Sequence, residues 1–202
     1  SFSTFVLKAL DKLAALDIKC IAPSHGLIWR SHPGRISSLY KRFAGYNTGG
    51  ECEKEICIIW GSMYGYTKQG LDAVIKGIEA EQVPYTIHDI PDTDVSYILG
   101  DAYKAAGLVL AMPTYEYKMF PPMAYVLDLF ERKHITDKTV LRIGNWGWSG
   151  GAKKEYEQKT AALKWNPLEQ YEWQGKLLDA DIRLLEERGA ELARMVKTGV
   201  QA

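Results

Sequence analysis

Residues 56–67 read Ile56-Cys57-Ile58-Ile59-Trp60-Gly61-Ser62-Met63-Tyr64-Gly65-Tyr66-Thr67, an apolar run that leads directly into a glycine-containing turn. Four consecutive apolar residues before such a turn indicate a strand that is buried on both of its faces. After the turn, apolar residues recur at helical spacing from about Tyr66 to Glu81. The stretch therefore predicts a buried strand, a tight loop and a covering helix, which together form one unit of an α/β fold.

The alternation of strand and helix continues to the end of the chain. Predicted strands cover Glu55–Trp60, Pro84–Asp89, Leu108–Ala111, Thr139–Ile143 and Leu168–Trp173. Predicted helices cover 66–81, 95–106, 121–131, 152–163 and 179–197, the last with Asp179 as its N-cap. Right-handed crossovers leave few topologies, and the natural one is a doubly wound five-stranded parallel sheet of order 2-1-3-4-5. Ligands of such sheets bind beyond the carboxyl ends of the strands.

The first 50 residues do not follow this alternation. They predict a helix over residues 2–16, a short strand at Lys19–Ala22 and a second helix at 33–44. The sequence Asn47-Thr48-Gly49-Gly50 then has the composition of a linker. We therefore expect two domains, a short N-terminal α/β piece at residues 1–50 and the parallel-sheet domain at residues 51–202.

Composition argues against several classes of partner. The chain holds 25 basic and 25 acidic side chains, so no charge excess favours nucleic acid or an anionic membrane. No apolar run reaches the length of about 18–20 residues that a membrane-spanning helix needs. Lys8, Asp11 and Lys12 interrupt the N-terminal apolar residues, which is unlike a signal peptide. The three cysteines have no metal-ligand spacing, and we expect a soluble, cytoplasmic protein.

The loop after the first strand has the features of a phosphate site. Gly61–Thr67 lies before a helix start, where unpaired N–H groups and a partial positive charge favour an anion. Ser62 and Thr67 add hydroxyl donors, and Gly65 allows close approach or a positive φ. The spacings GxxxxGK[ST] and GxGxxG are absent, which disfavours a nucleoside-triphosphate loop and a dinucleotide fold. An ordinary turn with a Ser or Thr cap remains the alternative.

Two further loops combine glycine or proline with aromatic side chains. Met112–Pro122 follows the third strand, and Gly144–Gly151 follows the fourth. Trp146 and Trp148 lie in the second of these loops, among four glycines. Because loops lie at the surface, two indoles there suit the walls or lid of a site for a flat ring. Packing of the indoles within the fold is the alternative.

The three loops resemble those of known flavin proteins. Ser62, Gly65 and Thr67 match the flavodoxin FMN-phosphate loop, a hydroxyl residue followed by x-x-Gly-x-Thr directly after the first strand. Together the loops are similar to those of the flavodoxin domain in flavodiiron proteins, also called A-type flavoproteins, at Ser62–Thr67, Pro113–Pro122 and Gly144–Ala152. Tyr171–Gly175 resembles the fifth strand of that family. The resemblance covers the whole chain and implies a flavodoxin-like domain at residues 51–202.

This resemblance implies FMN as the cofactor and assigns its contacts. The phosphate falls to the first loop, largely through backbone N–H groups, at Ser62, Met63, Tyr64, Gly65, Tyr66 and Thr67. The ribityl chain and the isoalloxazine ring fall to the other two loops, at Pro113, Thr114, Tyr115, Glu116, Asn145, Trp146, Gly147, Trp148 and Gly150. No catalytic acid, base or nucleophile is expected, because electron transfer through a flavin requires none.

The N-terminal residues resemble another part of the same family. Pro23–Arg30 is similar to the turn that carries the final iron ligand of the metallo-β-lactamase-like domain, with His25 at the ligand position. The upstream ligand motif of the family is absent, and the four histidines form no HxH or HxxxH pair. We therefore expect residues 1–50 to be the C-terminal remnant of a di-iron domain, without a metal site of their own.

The resemblance implies an FMN-binding electron-transfer module. In the intact family the flavin passes electrons to a di-iron site that reduces O2 or NO, and the expected donor is a rubredoxin-like protein or a reductase. The chain alone is not expected to reduce O2 or NO, and a homodimer is a further expectation. Two alternatives remain: an NAD(P)H-dependent FMN quinone reductase, and a flavodoxin-like interaction module without a cofactor.

Overall fold

The computed structural model describes residues 2–199. The chain divides into two compact units, with the boundary between Cys52 and Glu53. The larger C-terminal unit contains all five strand regions that the sequence predicts for the α/β domain. None of the helices between residues 2 and 199 combines the length and the apolar composition of a membrane span.

The N-terminal unit contains two helices, α1 at Ser3–Leu13 and α2 at Pro33–Gly45. The predicted strand at Lys19–Ala22 is wrong, because the structure has only a single antiparallel bridge there, between Ile21 and Trp29. Two reciprocal N–H···O bonds of 3.0 and 2.8 Å form the bridge. A single pair of this kind does not extend into a ladder, so the segment between the helices is irregular.

The C-terminal unit alternates strands and helices as predicted. Its strands are β1 at Glu53–Trp60, β2 at Tyr85–Asp89, β3 at Ala105–Ala111, β4 at Thr114–Tyr115, β5 at Lys118–Met119, β6 at Thr139–Trp146, β7 at Asn166–Pro167 and β8 at Tyr171–Gln174. Its helices are α3 at Tyr66–Ala80, α4 at Val95–Lys104, α5 at Pro121–Lys133, α6 at Ala152–Thr160 and α7 at Asp179–Thr198. A short 3₁₀ turn, Ala161–Leu163, follows α6.

The main sheet is parallel and has the predicted topology. Its order is β2-β1-β3-β6-β7, and β8 also pairs with β6. The predicted order 2-1-3-4-5 is therefore confirmed, with β6 as the fourth strand and β7 and β8 sharing the fifth position. All strands of this sheet point the same way, so the loops after β1, β3 and β6 lie at one edge.

The fifth strand is divided because its register slips by one residue. Val140 is opposite Pro167 and Ile143 is opposite Tyr171, so three steps along β6 correspond to four steps along its neighbour. The extra residue cannot pair, and it interrupts the ladder as a bulge does. The continuous strand predicted over Leu168–Trp173 is therefore replaced by two short ones.

Several predicted boundaries of helices also differ from the structure: α1 ends at Leu13 instead of residue 16, and α6 ends at Thr160, where the 3₁₀ turn begins. Helix α4 ends at Lys104 and β3 begins at the next residue, whereas the sequence predicts helix as far as Ala106. Apolar residues at this junction suit either element, so periodicity does not place the boundary. Asp179 is not the N-cap of α7, because Leu178 occupies that position and its N–H donates to the Asp181 carboxylate at 2.7 Å.

Helices cover the sheet on both faces, and β1 contributes to both cores. Its side chains alternate, with Cys57 and Ile59 packed in the cluster that includes α4, α5 and α6. Ile56 and Ile58 face the opposite way, into the cluster that includes α3 and α7. All four side chains are fully buried, as the continuous apolar run predicts.

Glycines allow α3 and α7 to approach each other closely. A Cβ built on Gly77 would lie 1.9 Å from the Glu186 carbonyl oxygen, and one built on Gly189 would lie 2.1 Å from the Val74 carbonyl oxygen. Both obstacles are helix backbone, which cannot turn aside as a flexible side chain can. The two glycines therefore set the separation of α3 and α7 on this face of the sheet.

Gly189→Ala should destabilise the protein by about 1–3 kcal/mol, because the new methyl group overlaps a backbone oxygen. Gly100→Ala is the matched control, since Gly100 lies in α4 and a Cβ there has no neighbour within 4 Å. The control should stabilise the protein by about 0.5–1 kcal/mol through helix propensity. Urea denaturation measures both changes. Equal effects of the two substitutions would contradict a tight contact at Gly189.

Candidate functional site

A cavity of about 370 Å³ lies where the loops after β1, β3 and β6 meet. Small-molecule sites commonly measure about 300–1,000 Å³. Eleven of the predicted site residues line the cavity, together with Gly175, which directly follows β8. The full lining is Met63, Tyr64, Tyr66, Pro113, Thr114, Tyr115, Glu116, Asn145, Trp146, Gly147, Trp148 and Gly175. Four residues of the predicted set do not line it: Ser62, Gly65, Thr67 and Gly150.

The loop after β1 presents backbone donors. Gly65 is the N-cap of α3 with a φ of +85°, and no side chain caps this helix. The Gly65 N–H donates to Ser62 Oγ at 2.9 Å, which folds the loop back on itself. The N–H groups in the first turn of a helix have no partner within the helix. Ser62 and Gly65 therefore shape a loop that offers N–H groups and a partial positive charge without a cationic side chain.

Thr67 does not line the cavity, and its predicted contact with a phosphate stays a prediction. Its side chain is fully buried, and its hydroxyl donates to Asn145 Oδ1 at 2.8 Å. A hydroxyl group has one proton to donate, so this proton is not available to a ligand in the cavity. The bond instead joins the loop after β1 to the end of β6.

The loop predicted over Met112–Pro122 contains a short hairpin, which the sequence analysis does not predict. Strand β4 pairs antiparallel with β5, and the two turn residues Glu116 and Tyr117 have φ values of 46° and 63°. Left-handed conformations at both central residues match the twist of a two-residue hairpin. The Met119 N–H donates to Glu155 of α6 at 2.8 Å, which ties the hairpin to the helix beside it.

Strand β6 continues to Trp146, so the predicted strand end at Ile143 is three residues too early, and the two indoles lie at the end of β6 and in the loop after it, where both line the cavity. Trp148 is 96% exposed and Trp146 is half-buried, so the packing alternative does not describe Trp148. The end of β8 supports this loop through two bonds. Gln174 Nε2 donates to the Gly147 carbonyl at 2.8 Å, and the Gly175 N–H donates to the Trp146 carbonyl at 2.9 Å.

A buried ion pair lies beside the same loop. Arg142, in the middle of β6, has a side chain only 1% exposed, and its Nη2 lies 2.6 Å from Glu172 Oε1 on β8. Among residues 2–199, none of the three guanidinium nitrogens makes a hydrogen bond, so the contact with Glu172 is an ion pair without hydrogen-bond alignment. A Cβ built on Gly150 would lie 3.7 Å from Glu172 Oε2. Glu172 therefore compensates the buried charge of Arg142 and lies near Gly150 in the loop after β6.

Tyr156 of α6 lies over the same guanidinium. Its ring centroid is 6.0 Å from Arg142 Cζ, a distance at which a cation is attracted to the ring face. Burial raises the pKa of Tyr156 to about 12, while the positive charge of Arg142 opposes the rise. The tyrosine is therefore neutral at ordinary pH and adds no second negative charge to the pair.

Sequence reasoning missed Gly175, Arg142 and Glu172 as parts of this region. A usable signal existed for Arg142, since a cation between Leu141 and Ile143 interrupts an otherwise apolar strand and requires a partner if it is buried. The partner could not be identified from the sequence, because it depends on the divided fifth strand.

The N-terminal unit gives a separate observation on metal binding. His25 is exposed, in an irregular segment. No group of three or more His, Cys, Asp or Glu side chains suited to a metal ion occurs within residues 2–199. The part that His25 would play in a longer protein stays a prediction.

Relatives among curated proteins match most of the chain, although no protein-family model does. A nitric oxide reductase of Moorella thermoacetica is 30% identical over 165 residues, which are 81% of this chain and 40% of that protein. The anaerobic nitric oxide reductase flavorubredoxin of Escherichia coli K12 is 27% identical over 208 residues, with coverage of 96% and 40%. The chain spans about two-fifths of the length of these curated relatives.

Solved structures agree with this match. A variant of the flavo di-iron protein of Thermotoga maritima has a TM-score of 0.84 at 26% identity, over 96% of this chain and 48% of that one. Rubredoxin:oxygen oxidoreductase of Desulfovibrio gigas has a TM-score of 0.89 at 19% identity, over 100% and 50%. An archaeal flavodoxin has a TM-score of 0.63 at 23% identity and covers 71% of this chain and 99% of its own.

Glu172→Gln should lower the free energy of unfolding by about 3–5 kcal/mol, because it leaves the Arg142 guanidinium buried without a compensating charge. Replacing both partners, as Arg142→Met with Glu172→Gln, should recover much of this loss. Asp72→Asn is the control, since it breaks the exposed Lys68–Asp72 pair and should cost less than about 1 kcal/mol. Urea denaturation of the four proteins checks the prediction, and a Glu172→Gln loss as small as that of the control would refute it.

Proposed function

This chain is homologous to the flavodiiron proteins and matches their C-terminal, flavodoxin-like domain, and from that premise we propose that it binds FMN and passes electrons through it. The observation that carries the proposal is the cavity between three loops, each of which follows a parallel strand of one sheet. Ligands of doubly wound folds bind at this edge. No feature of residues 2–199 favours a quinone reductase or a module without cofactor over this function.

The residues around the cavity fit the two chemically different ends of FMN. The loop at residues 62–67 offers the uncapped N-terminus of α3 to the phosphate, as Gly65 places it. The hairpin and the loop after β6 offer aromatic side chains and an amide to the ring and the ribityl chain, at Pro113, Thr114, Tyr115, Glu116, Asn145, Trp146, Gly147 and Trp148. Gly175 joins this proposed set, while Ser62, Thr67 and Gly150 position the loops from outside the cavity.

The bound flavin would supply the redox chemistry, and the chain would supply binding, orientation and electrostatics. Aromatic side chains on two loops would hold a flat ring between them and keep water from its faces. The backbone donors of α3 would hold the phosphate without a neutralising side chain. No side chain in this proposal acts as a general acid, a general base or a nucleophile.

The longer relatives suggest where the electrons go. We propose that residues 1–50 are the end of a preceding metallo-β-lactamase-like domain, with His25 as a ligand of its di-iron site in an intact protein. These relatives include a nitric oxide reductase and a rubredoxin:oxygen oxidoreductase. This proposal has four further parts. The intact protein reduces NO or O2, and its electron donor is a rubredoxin-like protein or a reductase. The protein is a homodimer and is located in the cytoplasm.

FMN should bind the apoprotein more tightly than FAD, at one molecule per chain. The loop at residues 62–67 closes around a terminal phosphate and has no pyrophosphate fingerprint.

Gly65→Val should weaken FMN binding about tenfold or more, because a β-branched residue in the left-handed region costs about 1–3 kcal/mol. Gly26→Val is the matched control, with a φ of +91° and open space but in the N-terminal unit. Calorimetric titration tests these expectations, and tighter binding of FAD would be the contrary result.

Replacing Trp146 and Trp148 together with Leu should raise the fluorescence of bound FMN, because stacked indoles quench a flavin. It should also weaken binding by about 0.5–1.5 kcal/mol per lost aromatic contact. Tyr97→Leu removes an exposed aromatic side chain that does not line the cavity, and it should change neither quantity. Emission of the saturated complexes measures the effect. Unchanged emission in the double variant would place both indoles away from the ring.

A further inference from the structure

The cavity contains one charged side chain. Of the twelve residues that line it, only Glu116 is charged at neutral pH, and no Lys, Arg or His belongs to the lining. Glu116 also has no ion pair with another residue in the part of the chain that the structure describes. Its negative charge is therefore left uncompensated at the wall of the proposed flavin site.

The backbone position of Glu116 is set by the hairpin that carries it. Glu116 is the first turn residue between β4 and β5, and the adjacent Tyr117 carbonyl packs against Gly151, where a built Cβ would lie 2.0 Å from that oxygen. Glu155 holds the other side of the hairpin through the Met119 N–H. The backbone at Glu116 is thus held from both sides, and only side-chain rotation can move the charge.

The nearest cations along the chain lie outside the cavity. Lys118 follows Glu116 by two residues and Lys176 follows Gly175, and both are exposed and absent from the lining. Glu116 is exposed as well, but it belongs to the lining of the cavity, whereas the two lysines do not. The field of the fixed side chains at the lining therefore has the sign of Glu116.

We propose that Glu116 sets the electron affinity of the bound flavin by selecting against its reduced form. This inference rests on the proposed function. The oxidised isoalloxazine ring is neutral, whereas the two-electron-reduced ring readily loses a proton and becomes an anion. A fixed carboxylate repels that anion but has little effect on the neutral ring. Reduced FMN therefore binds less tightly than oxidised FMN, and the potential of the bound couple falls by linkage.

The size of the effect follows from Coulomb's law in a partly exposed site. Like charges some 6–10 Å apart, with an effective dielectric constant of about 20 and partial screening by salt, change an equilibrium by about three- to tenfold. A tenfold change in affinity ratio corresponds to about 29.6 mV for a two-electron couple. The effect should decrease as salt is raised, since screening acts on charge and not on shape.

The test compares Kd values of the full chain for oxidised FMN and for FMN reduced anaerobically with dithionite. In Glu116→Gln the ratio of the reduced to the oxidised Kd should fall about three- to tenfold relative to the wild type. Glu116→Asp should keep the wild-type ratio, and Glu116→Lys should lower the ratio further than Gln does. Glu131→Gln is the matched control, since it makes the same charge change at an exposed residue of α5 outside the lining.

The outcomes separate this inference from the function on which it rests. A fallen ratio in Glu116→Gln, with the control unchanged, supports it. If the wild type binds FMN but Glu116→Gln keeps the wild-type ratio, the inference is overturned and FMN binding stands. Equal weakening of both Kd values would show that Glu116 only shapes the hairpin, which also overturns the inference. Failure of the wild type to bind oxidised FMN removes the proposed function and the inference together.

Discussion

Parallel strands that end at one edge are the constraint on which this site depends. The buried runs in β1, β3 and β6 place three loops side by side, although these loops are far apart in the sequence. The hydrogen bond from Thr67 to Asn145 joins residues 78 positions apart. Without the parallel register no pair of these loops would meet, and neither a phosphate loop nor an aromatic wall would form a site alone.

Much of this arrangement could be predicted, because apolar runs and glycine-containing turns report directly on buried strands. The strand order and eleven of the twelve residues around the cavity follow from that pattern and from the resemblance of the loops. The exceptions depend on contacts between distant elements. The direction of the Thr67 hydroxyl depends on Asn145, and the division of the fifth strand depends on its register against β6. The hairpin between β4 and β5 has turn residues, Glu116 and Tyr117, that are not typical of left-handed turns.

The charged side chains near the loop after β6 differ in whether they are compensated. Arg142 on β6 is fully buried beside the loop, and the carboxylate of Glu172 on the neighbouring strand β8 compensates its charge. At the cavity wall, Glu116 stands without a cationic partner among the lining residues. Positive potential at the site therefore comes from the N-terminus of α3 rather than from a side chain. This division would leave an anionic phosphate favoured at one end of the cavity and an anionic ring disfavoured at the other.

The bond between Thr67 and Asn145 also determines how the cavity responds to a ligand. Because the Thr67 side chain is fully buried and Asn145 is half-buried, the bond is partly shielded from water, and it couples the end that would hold a phosphate to the end that would hold a ring. A bond that is already formed in the folded chain leaves less of the ordering of the loops to be completed on binding. A flavin that engages only one end would still meet a cavity already shaped for both.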